Sequence, residues 1–145
     1  MVAWKTSPNT IDLHTVLIIS QDAEMVDVWK TLLEQRNCRV TVESAAENAA
    51  QTARLFVPAL IILELPIPEA ELIALCKELR AVTSGTLLVF APRESNREFA
   101  GYHSAGADEV LPAPVSPMAL LIKSMAWLAR QEWLVPRKIN NAAYA

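Results

Sequence analysis

The stretch ALIILELPIPEA, residues 59–70, decides how this chain reads. From Ala59 to Leu65 every side chain but one is apolar, and prolines follow at 66 and 68. An apolar run this short, closed by prolines, fits a strand covered on both faces. Its single carboxylate, Glu64, stands at the carboxyl end, where such a strand first meets solvent. Two further runs have the same character, TVLIIS (15–20) and TLLVFAP (86–92). RVTVES (39–44) alternates like a strand with one wet face, and DEVLPAP (108–114) is a short fifth strand.

Helical patterns fill the gaps. DAEMVDVWKTLLEQRN (22–37) spaces Met25, Val28, Trp29, Leu32 and Leu33 along one face, with Asn37 as a stop. SAAENAAQTARLF (44–56) is alanine-rich, with Ser44 as candidate N-cap and Pro58 beyond its end. EAELIALCKELRAVT (69–83) repeats the signal through Leu72, Leu75, Cys76 and Leu79. RESNREFAGYHSAGA (93–107) is a charged segment with a fourth helix, which Gly106 closes as a C-cap. SPMALLIKSMAWLARQEW (116–133) opens with Ser116 as N-cap and Pro117 at the first helical position.

Strands alternating with helices in units of roughly 20–30 residues call for a parallel sheet with helices on both faces. The expected fold is a flavodoxin-like, five-unit βα three-layer sandwich with strand order 2-1-3-4-5. Residues 1–13 form an N-terminal arm, 14–133 the domain, and 134–145 a tail or linker. In that architecture a site belongs at the carboxyl ends of strands 1 and 3, where the order reverses. Glu64, Ser20, Gln21 and Asp22 are at that edge.

Composition narrows the function classes. The chain has 145 residues, 52% hydrophobic and 20% charged, enough for one domain with a real core. A net charge of −3 with scattered basic residues argues against a nucleic-acid surface. No apolar run reaches the roughly 18–20 residues of a membrane helix, and the N-terminus lacks a signal-peptide pattern, so the expected location is the cytoplasm. Cys38 and Cys76 lie far apart and read as free thiols. His14 and His103 have no ligand at metal spacing and read as surface residues. Ser20 has no paired histidine, and no glycine-rich phosphate loop is present.

The segments VLIISQD, PALIILELPIPEAELIALCKELR, TLLVFAP and GADEVLPAPVSP together resemble the receiver domain of two-component response regulators, CheY-like in type. The resemblance spans about residues 14–131. It implies an acidic pair after strand 1 that holds Mg²⁺, and a phosphoacceptor aspartate ending strand 3. It also implies a hydroxyl ending strand 4, a lysine ending strand 5, and a signalling role within a phosphorelay. This chain departs at each position. Ser20 and Gln21 replace the acidic pair, Glu64 the acceptor, Ala91 the hydroxyl, Ala113 the lysine, and Val110 the aromatic residue of strand 5. A carboxylate attacks phosphorus only where cations neutralise the developing charge, so the resemblance is to a degenerate, pseudo-receiver variant without catalytic residues. No cofactor is expected, Mg²⁺ included, because Glu64 and the Gln21 amide are a poor donor pair and Asp22 comes one residue late. Glu64 reads as a residue of an unused site; mimicry of a phosphorylated state is the second reading.

The last helix carries apolar residues around most of its circumference, leaving Lys123, Ser124 and Arg130 as a narrow polar stripe. Trp4 or the Trp133 region folding back would cover it; docking of another protein is the competing explanation. In receivers the surface of helix 4, strand 5 and helix 5 serves dimerisation and output. The expected interaction residues are Val110, Met118, Ile122, Met125 and Trp127, with Trp127 as anchor. The expected function is therefore phosphorylation-independent protein–protein signalling, with a protein partner or a second copy, and neither membrane nor direct nucleic-acid binding. Three alternatives stay open: a phosphoacceptor using a non-standard residue such as Asp22, a small-ligand-binding pseudo-receiver, and the N-terminal domain of a longer regulator.

Overall fold

The computed structural model describes the backbone of residues 14–92 and 99–144, and side chains in the last helix as far as Gln131. Trp4, the arm 1–13, the segment 93–98 and the side chain of Trp133 lie outside the described residues. Along the chain run β1 His14–Ser20, α1 Ala23–Glu34, β2 Cys38–Glu43, α2 Ala46–Phe56, β3 Leu60–Glu64 and α3 Glu69–Val82. β4 Thr86–Pro92, α4 Phe99–Ser104, β5 Glu109–Ala113 and α5 Pro117–Tyr144 follow. All pairings are parallel, in the order β2-β1-β3-β4-β5. This is the expected flavodoxin-like sandwich.

The fully apolar strands take the middle of the sheet because both their faces are covered. Leu17, Ile19, Ile61, Leu63, Leu87 and Val89 face one core layer, with Ala49 and Ala53 of α2 and Leu72, Leu75, Cys76 and Leu79 of α3. Val16, Ile18, Leu60, Ile62, Leu88 and Phe90 face the other, with Trp29 and Leu33 of α1 and Leu120, Leu121 and Leu128 of α5. The period-2 alternation of strand side chains divides the residues in this way. Both cysteines are buried and free; burial pushes the Cys76 thiol up to about 12, which leaves it inert.

Local details depart from expectation at three points. In α1 the buried set is Val26, Trp29 and Leu33, whereas Val28 is 45% exposed. The N-cap of α2 is Ala45 rather than Ser44, and it makes no side-chain cap bond. Glu43 does that work instead, its carboxylate accepting from Ala45 N at 3.0 Å and from Thr52 Oγ1 at 2.7 Å. The backbone of α5 continues as helix to Tyr144, through the segment expected to be a tail. Gly106 does close α4: its φ is +118°, and its N–H donates to His103 O at 3.0 Å.

Candidate functional site

The strand order sets the carboxyl ends of β1 and β3 side by side, and the register pairs Ser20 with Glu64. Ser20, only 2% exposed, donates from Oγ to Glu64 Oε1 at 3.1 Å. Ser20 Oγ in turn accepts from Asp22 N at 3.1 Å, which holds the chain in its turn toward α1. Asp22 is the N-cap of α1, its Oδ1 accepting from Met25 N at 3.1 Å. Beside these groups opens a cavity of about 440 Å³, lined by Asp22, Met25, Glu64, Phe90, Pro92, Ala113, Pro114 and Val115. Phe90 is held from behind by Trp29, edge to face at 5.3 Å.

A second constellation lies on β5 and α5. Glu109, the first residue of β5, accepts from Trp127 Nε1 at 2.7 Å and pairs with Lys123 Nζ at 2.7 Å. Burial alone would raise the Glu109 pKa, but the hydrogen bonds and charge of Lys123, with the Trp127 bond, bring it below the ordinary value. Arg130 lies over the Trp127 ring, 4.9 Å from its centroid. On the same helix, Met118 and Ile122 are 60% and 61% exposed. Ile122 also lines a shallow, mostly apolar groove of about 360 Å³ with Leu111, Pro112, Pro114, Val115 and Ala119, which Ser116 and Lys123 complete.

No family model matches the chain. The transcriptional regulatory protein RstA of Escherichia coli is 24% identical over 120 residues, 83% of this chain and 50% of RstA. The transcriptional regulatory protein CpxR of Klebsiella pneumoniae is 26% identical over 130 residues, 90% of this chain and 56% of CpxR. A two-component response regulator from Clostridium difficile superposes with a TM-score of 0.73 at 24% identity, covering 81% of this chain and 98% of that one. The chain has the fold of response-regulator receiver domains. It spans about half the length of the curated relatives it matches.

Of the five positions singled out in this receiver-like domain, Glu64 and Ala113 line the cavity and Ser20 lies bonded to Glu64. Gln21 is exposed and outside the lining. Ala91 is fully buried in the core layer of α2, α3 and α4, since alternation along β4 turns Phe90, not Ala91, to the face of Glu64. Asp22, one residue late for the acidic pair, nonetheless lines the cavity because the capping position folds its side chain back over the first turn. The signal was in the sequence: an aspartate three residues before Met25 at a helix start is a capping pattern.

The interaction face also needs correction. Val110 is 8% exposed and packs inward, so it offers a partner nothing. Met125 is partly buried against the α1–α5 layer, and Trp127 is tied to Glu109 rather than free to anchor a contact. Ser124, expected on the polar stripe, is fully buried, with no hydrogen-bond partner for its hydroxyl among the described residues. Met118 and Ile122 remain as the outward apolar pair.

Proposed function

We propose that this receiver-like domain signals by contact with another protein, without passing a phosphoryl group. The observation that carries the reading is the exposed Ile122 in the wall of a mostly apolar groove of β5 and α5, with Met118 exposed one turn earlier on the same helix. Large apolar side chains rimming a concave surface mark docking sites more often than isolated ones do. The partner is another protein chain, either a second copy or a different one.

The cavity at the strand ends supports the absence of phosphoryl transfer. Its lining holds two carboxylates and, among the described residues, no Lys, Arg or His. Charge developing on a transferred phosphoryl group would therefore meet repulsion. The donors also suit Mg²⁺ poorly. Asp22 gives one oxygen to the helix cap, Glu64 gives one to Ser20, and no group of three or more His, Cys, Asp or Glu among the described residues could hold a metal. The Glu64–Ser20 bond joins neighbours in the register and leaves β4 and β5 untouched, which favours an unused acceptor site over a mimic of the phosphorylated state. No helix among the described residues is long and apolar enough to cross a membrane.

Two measurements test the proposal. After incubation with a small phosphodonor and Mg²⁺, intact mass should be unchanged; a stable gain of one phosphoryl group overturns it. Met118→Glu and Ile122→Glu should abolish association in sedimentation velocity, or recovery of a partner, with stability altered by no more than about 0.5 kcal/mol. A wild-type chain that stays monomeric at high concentration and binds no protein defeats the contact reading.

A further inference from the structure

The cavity beside Glu64 is not explained by a surface contact on β5 and α5, and its construction points to a ligand. We propose that it binds a small organic cation, an ammonium group carried on a compact apolar body. The cavity of about 440 Å³ lies within the roughly 300–1,000 Å³ typical of small-molecule sites. It also lies at the switch point between β1 and β3, where doubly wound sheets place ligands.

The walls and the charges divide the work. Met25, Phe90, Pro92, Ala113, Pro114 and Val115 give apolar walls, and the Trp29 contact fixes Phe90 among them. Asp22 and Glu64 supply the charge. Each carboxylate is oriented by a hydrogen bond to one oxygen, from Met25 N to Asp22 Oδ1 and from Ser20 Oγ to Glu64 Oε1. The second oxygen of each has no partner among the described residues. Glu64 is partly buried and Asp22 exposed, so the two pre-oriented carboxylates stand at the mouth of the cavity, where an ammonium would meet charge-assisted hydrogen bonds while its apolar body enters. Ala113 leaves open the space that a longer side chain on β5 would fill. An anion is disfavoured by the same two charges.

The probes are a series of primary amines headed by 2-phenylethylamine, with 2-phenylethanol and 3-phenylpropionate as neutral and anionic counterparts of similar shape. Calorimetric titration of the whole chain should show the amine binding at least about tenfold more tightly than the alcohol, about 1.4 kcal/mol, and no binding of the acid. Glu64→Gln keeps an acceptor for Ser20, and Asp22→Asn keeps a good helix cap, so both should fold. Each should bring amine affinity down toward that of the alcohol. Ala113→Lys, which fills the space and supplies its own ammonium, should abolish binding. Equal affinity for amine and alcohol, unchanged binding in a correctly melting Glu64→Gln, or no binding across the amine series overturns the proposal.

Discussion

Glu64 and Glu109 are both partly buried glutamates on the same sheet, at opposite ends of it and in opposite circumstances. Glu64, ending β3, has a serine hydroxyl as its partner. Glu109, opening β5, holds an ammonium and an indole N–H at 2.7 Å each. The carboxyl edge, where this fold places its chemistry, keeps its carboxylates without a cation among the described lining residues. Charge pairing is found instead where β5 is tied to α5. A receiver-like scaffold can thus leave the carboxylates of one edge facing no described cation while an ion pair ties a flanking helix to the other edge. The fold tolerates this because its stability comes from two apolar layers that neither glutamate enters.

The largest effect that would break the comparison comes from below the cavity. Phe90 is 2% exposed and packs edge-on against Trp29, so Phe90→Ala should cost about 3–5 kcal/mol in urea unfolding. A loss under about 1 kcal/mol would mean that the cavity floor collapses easily and that the cavity is not a built feature of the fold. Ser20→Ala comes next. It strands Asp22 N and Glu64 Oε1 at once, for an expected cost of about 1 kcal/mol. If that variant is neutral, solvent already serves both groups, and Glu64 is freer than its geometry indicates.

The sheet was legible from the sequence because burial on both faces writes continuous apolar runs, and TVLIIS, ALIILEL and TLLVFAP all became central strands. The strand ends were legible too, which is why Glu64, Ser20 and Ala113 were placed at the right edge. Which side chain turns toward the cavity was harder to read. In a covered strand both faces are apolar, so nothing in FAP distinguishes Phe90 from Ala91 until a helix is known to lie on each side. The same ambiguity affected α5. Ser124 looks polar and solvated in sequence, yet it sits at a core position between Leu120, Leu121 and Leu128. Trp127 looks like an anchor for a partner, but its N–H was claimed by Glu109, a residue 18 positions away that periodicity cannot pair with it. The capping role of Asp22, which turns its side chain to the cavity, was the unread feature of the site that had a local signal.

The smallest effect sharpens the comparison most, because it isolates charge from shape. In Glu109→Gln the amide oxygen can still accept from Trp127, and only the charge facing Lys123 is lost. Lys123 is 42% exposed, so solvent screening holds the expected cost to under about 1 kcal/mol near neutral pH. The sign of its pH dependence follows from the lowered pKa of Glu109. A carboxylate that binds its proton less readily when folded contributes its full stability above its unfolded pKa. That contribution is lost as pH falls through the lower, folded value. The gap between wild type and Glu109→Gln, measured by urea unfolding across the acid range, should therefore close as pH falls and stay constant toward neutrality. A gap at Glu109 that stays flat down to strongly acid pH would show that the Trp127 hydrogen bond alone holds β5 to α5. The two glutamates would then differ in hydrogen bonding and not in charge.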